Sequence, residues 1–398
     1  MKKNKSLPDI KPVTPTTSLN EIPLDSENEV FDISSVASVV GMSTQFISRA
    51  LGHRKRQVLM TEVLTLLNLD AYSETFIPRS MIPNYLITHA SQINSFLQSD
   101  SDVILLKGSV PDVLSKLEDN SVSCVVTSSP YWGMRIYEDP TYVEWADGEV
   151  CAFGHEQTPE GFIRHSIEVL HSLKRIVKEE GSIWWNVMDT YNTRTQIRSS
   201  AVEALNAMKG MDQRSWGDHE CRRYSSSHSY LKDGEICHIP SRIAERAAKI
   251  GYFVKSVITW AKTSSMPEPQ NSRVSRAMEN IIHLSVVRTP KFDKNAYLHL
   301  PEHLGGRNCT LEVGKVSDVW MLPTSAGRDG HGAQFPLSLP GRCIGLTTDV
   351  GDLVLDPFVG SGTSGQAAID LGRRFVGIDV STTYLKVAEK KLGVKAVY

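Results

Sequence analysis

The sequence predicts an α/β protein built on a seven-stranded, mostly parallel sheet, with a small helical N-terminal domain. Three observations carry this. Seven runs rich in β-branched and aromatic residues have strand character: Val103–Leu106, Val122–Val126, Ile183–Val187, Tyr252–Trp260, Ile281–Val287, Leu353–Leu355 and Phe375–Ile378. Stretches of helical period, Gly161–Val177, Arg242–Ile250, Gly365–Leu371 and Tyr384–Leu392, alternate with them, and strand alternating with helix implies parallel crossovers. Two loop motifs, Thr127-Ser128-Ser129-Pro130-Tyr131-Trp132 and Asp356-Pro357-Phe358-Val359-Gly360-Ser361-Gly362-Thr363, each follow an apolar run. Both are therefore expected at the carboxyl ends of strands, where open α/β sheets bind ligands.

In chain order, residues 1–30 carry Pro, Thr, Ser and charge with little periodicity and read as a flexible tail. Residues 31–82 read as helical. Within Ser34–Leu69, Ala37, Gly41 and Ile47 are spaced as in a helix-turn-helix, where a small residue permits helix contact, Gly allows the turn and a branched residue locks the second helix. The candidate recognition helix runs from Ser43 to about Leu51. It would present Thr44, Gln45 and Arg49 to DNA, with His53, Arg54, Lys55 and Arg56 beyond for phosphates. An ordinary helical appendage turning at a Gly shows the same pattern, so both readings stand. Residues 83–398 hold the sheet, and the runs Tyr252–Trp260 and Ile281–Val287, with no clear helix between them, are expected to pair antiparallel at one edge.

A chain of 398 residues accommodates one large α/β domain and a smaller appendage. Net charge is −2, so nucleic-acid binding must rest on local patches; Tyr191 to Leu300 holds 17 Lys and Arg against 10 Asp and Glu. Six scattered cysteines argue against a disulfide framework or a zinc site and suit a reducing compartment. The twelve histidines show no ligand spacing, and no metal is expected. No apolar stretch follows the basic N-terminus, so a cytoplasmic protein without a membrane span is expected.

Gly360-Ser-Gly362-Thr-Ser-Gly365, with Asp379 ending the next strand, fits a nucleotide-binding turn: glycines let the backbone approach a ligand and the acid accepts ribose hydroxyls. A nicotinamide dehydrogenase would show this too, but its unit normally opens the domain, whereas this one lies near the carboxyl terminus. Asp356, four residues before the first glycine, suits an acid holding the amino group of a methionine-like tail. The ligand so described is S-adenosyl-L-methionine.

Asp356-Pro-Phe-Val-Gly-Ser-Gly-Thr, the following Leu371-Gly-Arg-Arg-Phe-Val-Gly-Ile-Asp379, and the upstream Phe335-Pro-Leu-Ser-Leu-Pro-Gly-Arg342 resemble the cofactor half of amino-methylating DNA methyltransferases of the β order, in which the catalytic motif precedes the cofactor motif. The resemblance implies a Rossmann-like methyltransferase sheet. It also implies that Asp356, Phe358, Gly360, Gly362, Thr363 and Asp379 line the cofactor and that Phe335 and Pro336 close its methionine side. Lys107-Gly108-Ser109 departs from the usual Gly-Asp facing the adenine.

The exocyclic amine of a base is a poor nucleophile because its lone pair is delocalised into the ring, and acceptors around its hydrogens help it pyramidalise. Ser128 Oγ supplies one acceptor and the Ser129 carbonyl, directed by the extended conformation that Pro130 imposes, another. Tyr131 would stack on a base that has left the helix. The family's Ser-Pro-Pro-Tyr acts on cytosine N4 and its Asp- or Asn-Pro-Pro-Tyr usually on adenine N6, so Ser128 favours cytosine, while Ser129 in place of proline departs from both.

Thr158-Pro159 should start a helix whose Phe162, Ile167, Leu170 and Leu173 are core, and Trp184 and Trp185 should pack. Lys262, Arg273 and Arg276 resemble a segment that closes over the base and touches DNA, although Arg276 and Glu279, three apart, could instead pair on a helix. Residues 190–240 are the candidate target-recognition insertion. The implied function is sequence-specific N4-cytosine methylation of double-stranded DNA in a restriction-modification system, with a cognate endonuclease but no implied contact. Adenine-N6 methylation and a DNA-binding regulator with a degenerate methylase domain are the alternatives.

Overall fold

The computed structural model describes residues 28–52, 56–90, 101–133, 141–192, 228–263, 271–306, 315–324 and 335–397. Its centre is a nine-stranded sheet. The small pair β1 (Val30–Asp32) and β2 (Gln57–Leu59) precedes it, and β5 (Val143–Glu144) and β6 (Val150–Cys151) form a second small pair. The sheet strands are β3 (Val103–Lys107), β4 (Val122–Ser128), β7 (Val177–Val187), β8 (Phe253–Lys262), β9 (Met278–Ser285), β10 (Val319–Leu322), β11 (Leu353–Asp356), β12 (Arg374–Asp379) and β13 (Ala396–Val397). Their order is β10-β8-β9-β7-β4-β11-β12-β3-β13.

All seven predicted strands are present. The two additional strands, β10 and β13, pair parallel to β8 and β3 at the two edges. β9 runs antiparallel between β7 and β8 as the missing helix implied, but β10 takes the outer edge of β8, so that pair is not itself the border.

Alternate residues of the central strands feed two hydrophobic cores. Val125 and Leu355 face a core shared with the helices Pro159–Ile176 and Ile239–Lys249, while Cys124, Val126 and Val354 face one shared with Ser338–Thr347, Thr363–Asp370 and Thr382–Leu392. A strand buried on both faces must be apolar throughout, which is why these runs stand out in the sequence. Thr158 caps its helix by accepting from Gly161 N (3.1 Å), Pro159 follows, and Phe162, Ile167, Leu170 and Leu173 are fully buried. Among the described residues no helix is long and apolar enough to cross a membrane.

The N-terminal helices Ile33–Val40 and Thr44–Ala50 meet at Gly41, whose φ of 69° suits only glycine and whose added Cβ would lie 2.3 Å from Ser73 O. Ile47 is fully buried, and Thr44, Gln45 and Arg49 are exposed. Short strand β2 interrupts the predicted helical run before the helix Met60–Leu67. These helices dock on Pro159–Ile176 through His171, whose Nε2 is 2.9 Å from Ser38 Oγ and whose ring lies 4.8 Å from that of Phe76.

A buried polar cluster secures the segment from Trp145 to Glu156 against the same helix. His165 Nε2 lies 3.2 Å from Asp147 Oδ1 and its Nδ1 3.0 Å from Glu156 Oε1, with Trp145 stacked on the ring at 4.3 Å. Glu149, Cys151 and His165 bring ligand-type atoms within 4.8 Å of one another, a grouping the sequence spacing did not reveal. Both imidazole nitrogens nevertheless already face carboxylates. Burial alone would lower the imidazole pKa, but hydrogen bonds with Asp147 and Glu156 lift it to about 9. Burial also raises the Glu168 carboxyl beside Ala146 N to about 7.

Both groups have folded-state values above their unfolded ones, so the stability they confer is present at low pH and lost as pH rises through the folded value. The denaturation midpoint of the protein should therefore decline as pH rises from 6.5 to about 9, and His165→Gln should flatten that slope. A profile of equal steepness in both proteins would contradict this.

Candidate active site

β4 and β11 lie side by side and run the same way, Cys124 opposite Val354 and Val125 opposite Leu355. The loops that follow them leave the sheet at the same end. Asp356, 1% exposed, ties them together: Oδ1 accepts from Thr127 Oγ1 (2.6 Å) and Phe358 N (3.0 Å), and Oδ2 accepts from Ser364 Oγ (2.5 Å). Burial pushes its carboxyl up to about 6 while these three donors pull the other way. Asp356 thus acts as the joint between the two motifs, its oxygens taken from within the chain.

The glycine turn is held by Val359 N to Ile378 O (2.9 Å) and by Gly360 N to Asp379 Oδ2 (2.9 Å). Gly360 and Gly362 have φ of 51° and 82°. Asp379 Oδ1 accepts from Ser381 N, and burial lifts this carboxyl too to about 6. Thr363 opens the next helix and accepts from Lys391 Nζ (3.0 Å). Phe358 sits between Phe153, 4.9 Å away, and the edge-on Trp185, 5.9 Å away. Phe335 is buried in the same core as Val354 and Val359, with Pro336 next to it, ahead of the helix Ser338–Thr347. Gly108 N donates to Asp379 O, and Ser109 caps the helix Val110–Leu114. An aromatic face, a half-buried carboxylate and a turn of side-chain-free backbone fit a nucleoside-bearing ligand.

On the other loop, Ser128 Oγ is 3.2 Å from Tyr131 Oη. Asn186, opposite Ser128 on β7, donates through Nδ2 to Tyr131 Oη (2.8 Å) and Glu279 Oε2 (2.7 Å) and lies 3.3 Å from Ser128 Oγ. Tyr131 Oη also donates to Glu279 Oε2, and Lys262 Nζ pairs with Glu279 Oε1 at 2.6 Å. Neighbouring strands β7, β9 and β8 supply Asn186, Glu279 and Lys262. The tyrosine ring is thereby fixed. Ser129 is 2% exposed ahead of Pro130, Trp132 Nε1 donates to Glu156 O (2.8 Å), and Gly133 N donates to Gly154 O (2.9 Å), so the His165-anchored segment braces the loop from outside.

Ser128, Ser129, Pro130 and Tyr131 thus gather with Asp356, Phe358, Gly360 and Asp379 at one end of the sheet. The sequence reading gave Asn186 no role and took Glu279 only as a possible partner of Arg276; the available signal was a polar residue beside an apolar run, Trp184-Trp185 for Asn186 and Ile281-Ile282 for Glu279. Arg276 and Glu279 do not pair on a helix: Glu279 lies in β9 and is held by Lys262, and Arg276 donates to Asp189 O. Lys262 turns its ammonium inward to Glu279. Arg273 and Arg276 stack over Tyr191 at 3.8 and 4.8 Å. Arg54, with His53 and Lys55, and residues 193–227 of the predicted insertion lie outside the described residues.

A family model described as DNA methylase matches residues 122–390. The type II methyltransferase M.XycI of Xanthomonas campestris pv. cyanopsidis is 30% identical over 288 residues, covering 72% of this chain and 87% of that protein. M.Cfr9I of Citrobacter freundii, also a type II methyltransferase, matches with the same identity and coverage. Among solved structures, a putative DNA modification methylase of Thermus thermophilus complexed with S-adenosyl-L-methionine aligns with TM-score 0.47 and 21% identity, over 73% of this chain and 93% of that one.

Thr127→Val should lower unfolding stability by about 1–3 kcal/mol, because it removes a donor from a buried carboxylate, while Thr127→Ser should recover most of the loss. Equal denaturant midpoints for Thr127→Val and the parent would show that the joint is dispensable.

Proposed function

The chain belongs to the DNA methylase family, and we propose that it transfers a methyl group from S-adenosyl-L-methionine to the exocyclic N4 of a cytosine flipped out of double-stranded DNA. Its relatives are type II methyltransferases, which supports a restriction-modification setting with a cognate endonuclease in the same system and no direct contact implied. The observation that carries the reading is the Thr127–Asp356 joint, which sets the Ser128–Tyr131 loop beside the glycine turn.

S-Adenosyl-L-methionine supplies an electrophilic methyl on a sulfonium. Asp379, Phe358 and the turn at Gly360 and Gly362 would hold it, with Phe335 and Pro336 on the methionine side. Ser128 Oγ and the Ser129 carbonyl would accept from the amine, drawing its lone pair out of the ring. Tyr131, fixed through Glu279 and Asn186, would stack on the extruded base. Ser128, in place of Asp or Asn, supports cytosine as the target.

The exposed Thr44, Gln45 and Arg49 support assigning residues 31–82, with Arg54, to DNA contact. Arg273 and Arg276 beside Tyr191, and residues 190–240, are the proposed target-recognition surface of the 83–398 methyltransferase domain. Lys262 reaches DNA only through the base site, since its ammonium is held by Glu279.

Nucleoside digestion of DNA from cells expressing the protein should yield N4-methylcytosine; N6-methyladenine would overturn the choice of base, and no methylated nucleoside would overturn the enzymatic reading. Arg49→Ala should weaken duplex binding by about 1–3 kcal/mol if the second helix reads a base edge. Unchanged affinity in a filter-binding titration would remove that helix from the DNA contact.

A further inference from the structure

We propose that Arg273 and Arg276, braced on Tyr191, form a phosphate-binding site for the backbone of the extruded nucleotide and do not read base edges. The assignment rests on the methyl-transfer reading and narrows the role of one part of its target-recognition surface. Tyr191 stands four residues past the end of β7 as a fixed platform. It bridges antiparallel to Ile236, and backbone bonds from Asn192 N to Glu235 O (2.7 Å), Gly234 N to Asn192 O (2.7 Å) and Cys237 N to Thr190 O (2.9 Å) clamp it on both sides. Asn192, buried next to it, donates through Nδ2 to Leu231 O (3.0 Å).

The two guanidiniums meet on that platform. Arg273 lies 3.8 Å and Arg276 4.8 Å from the centre of the ring. A planar cation held on an aromatic ring keeps its N–H groups at its edges. Arg276 also donates through Nη1 to Asp189 O, and the residue after it is pinned by Lys262 N to Ala277 O (2.7 Å). Reading guanine requires a guanidinium that swings into the plane of the base and presents two parallel donors to O6 and N7. The ring holds Arg273 against that movement, and the ring together with Asp189 O holds Arg276. A phosphate asks for less, since its oxygens accept from several directions. Two cations gathered on one neutral ring also repel each other, and an anion that meets both relieves the repulsion.

The pair stands where that backbone passes. β7 carries Asn186 and β9 carries Glu279, and both bind Tyr131 Oη. Tyr191 follows Asn186 by five residues and Arg276 precedes Glu279 by three, so the strand ends that fix the Tyr131 ring also carry the arginines. A nucleotide that leaves the duplex takes its flanking phosphates with it. With the base on Tyr131, those phosphates fall at the rim that these strand ends form, and charge-assisted N–H···O bonds from both arginines hold the backbone in its extruded path.

The test measures duplex binding by the full-length protein as salt rises, on a duplex carrying the methylated site found by sequencing host DNA and on duplexes altered in that site at single base pairs. Arg273→Ala and Arg276→Ala should each weaken binding about tenfold, equally for all the duplexes, and each should lower the slope of log affinity against log salt by about one. Arg276→Lys keeps the charge and should keep the parent's slope, and with Arg273→Ala it serves where Arg276→Ala fails to fold. The parent should bind a duplex whose phosphates flanking the target nucleotide are neutral methylphosphonates less tightly than the unmodified duplex, and the double variant Arg273→Ala/Arg276→Ala should bind the two alike. Unchanged salt slopes in both alanine variants, or a parent indifferent to the methylphosphonates, would overturn the assignment. Relaxed discrimination between the correct and altered sites would also overturn it and assign the pair to base edges. A parent that methylates no DNA overturns instead the reading beneath, and the salt slopes still judge the arginines.

Discussion

Everything at the active end of this protein depends on one buried carboxylate needing donors from two directions. Asp356 sits at the end of β11 with almost no solvent contact, and its three donors come from β4 through Thr127 and from the glycine turn through Phe358 N and Ser364. A buried anion so placed is costly unless satisfied. The Ser128–Tyr131 loop and the glycine turn are thereby held in one register. Sequence separates Thr127 and Asp356 by more than half the chain; the parallel pairing of β4 with β11 brings them together.

Around that joint the site solves the same problem twice more with different chemistry. Glu279 is answered by a cation, Lys262, and by the neutral donors Tyr131 and Asn186. His165 is answered by two acids, which raises its pKa and fixes the segment that braces Trp132 and Gly133. Each network orients one part of the base-side loop, while Phe153, Phe358 and Trp185 supply an apolar floor between the two loops. Orientation fixed before substrate arrives means that little reorganisation is left to the reaction.

The sheet was legible because its central strands are buried on both faces and read as continuous apolar runs. β10 and β13 were not, since four and two residues carry too little pattern to separate strand from loop. β2 was hidden for the same reason inside a stretch of helical composition. The two loop motifs, Ser128 to Tyr131 and Gly360 to Thr363, were legible by their residue pattern, and the pairing of β4 with β11 brings them to one end of the sheet. The network of Asn186 and Glu279 was not, because polar residues in strands acquire meaning only from the cross-strand neighbours that satisfy them. The inward turn of Lys262 has the same origin: a lysine reads as a phosphate contact until its carboxylate partner, seventeen residues away, is seen across the β8–β9 pair.

The most direct measurement of the central claim is a crystal structure of the protein with S-adenosylhomocysteine and a duplex containing its target site. The account requires the thioether sulfur above Phe358, the ribose at Asp379, and an extruded base against Tyr131 with its amine nitrogen on line with the sulfur at about the 3–3.5 Å separation of reacting atoms plus one methyl. A cofactor bound away from the glycine turn, or a target base left stacked in the duplex in the closed complex, would contradict it.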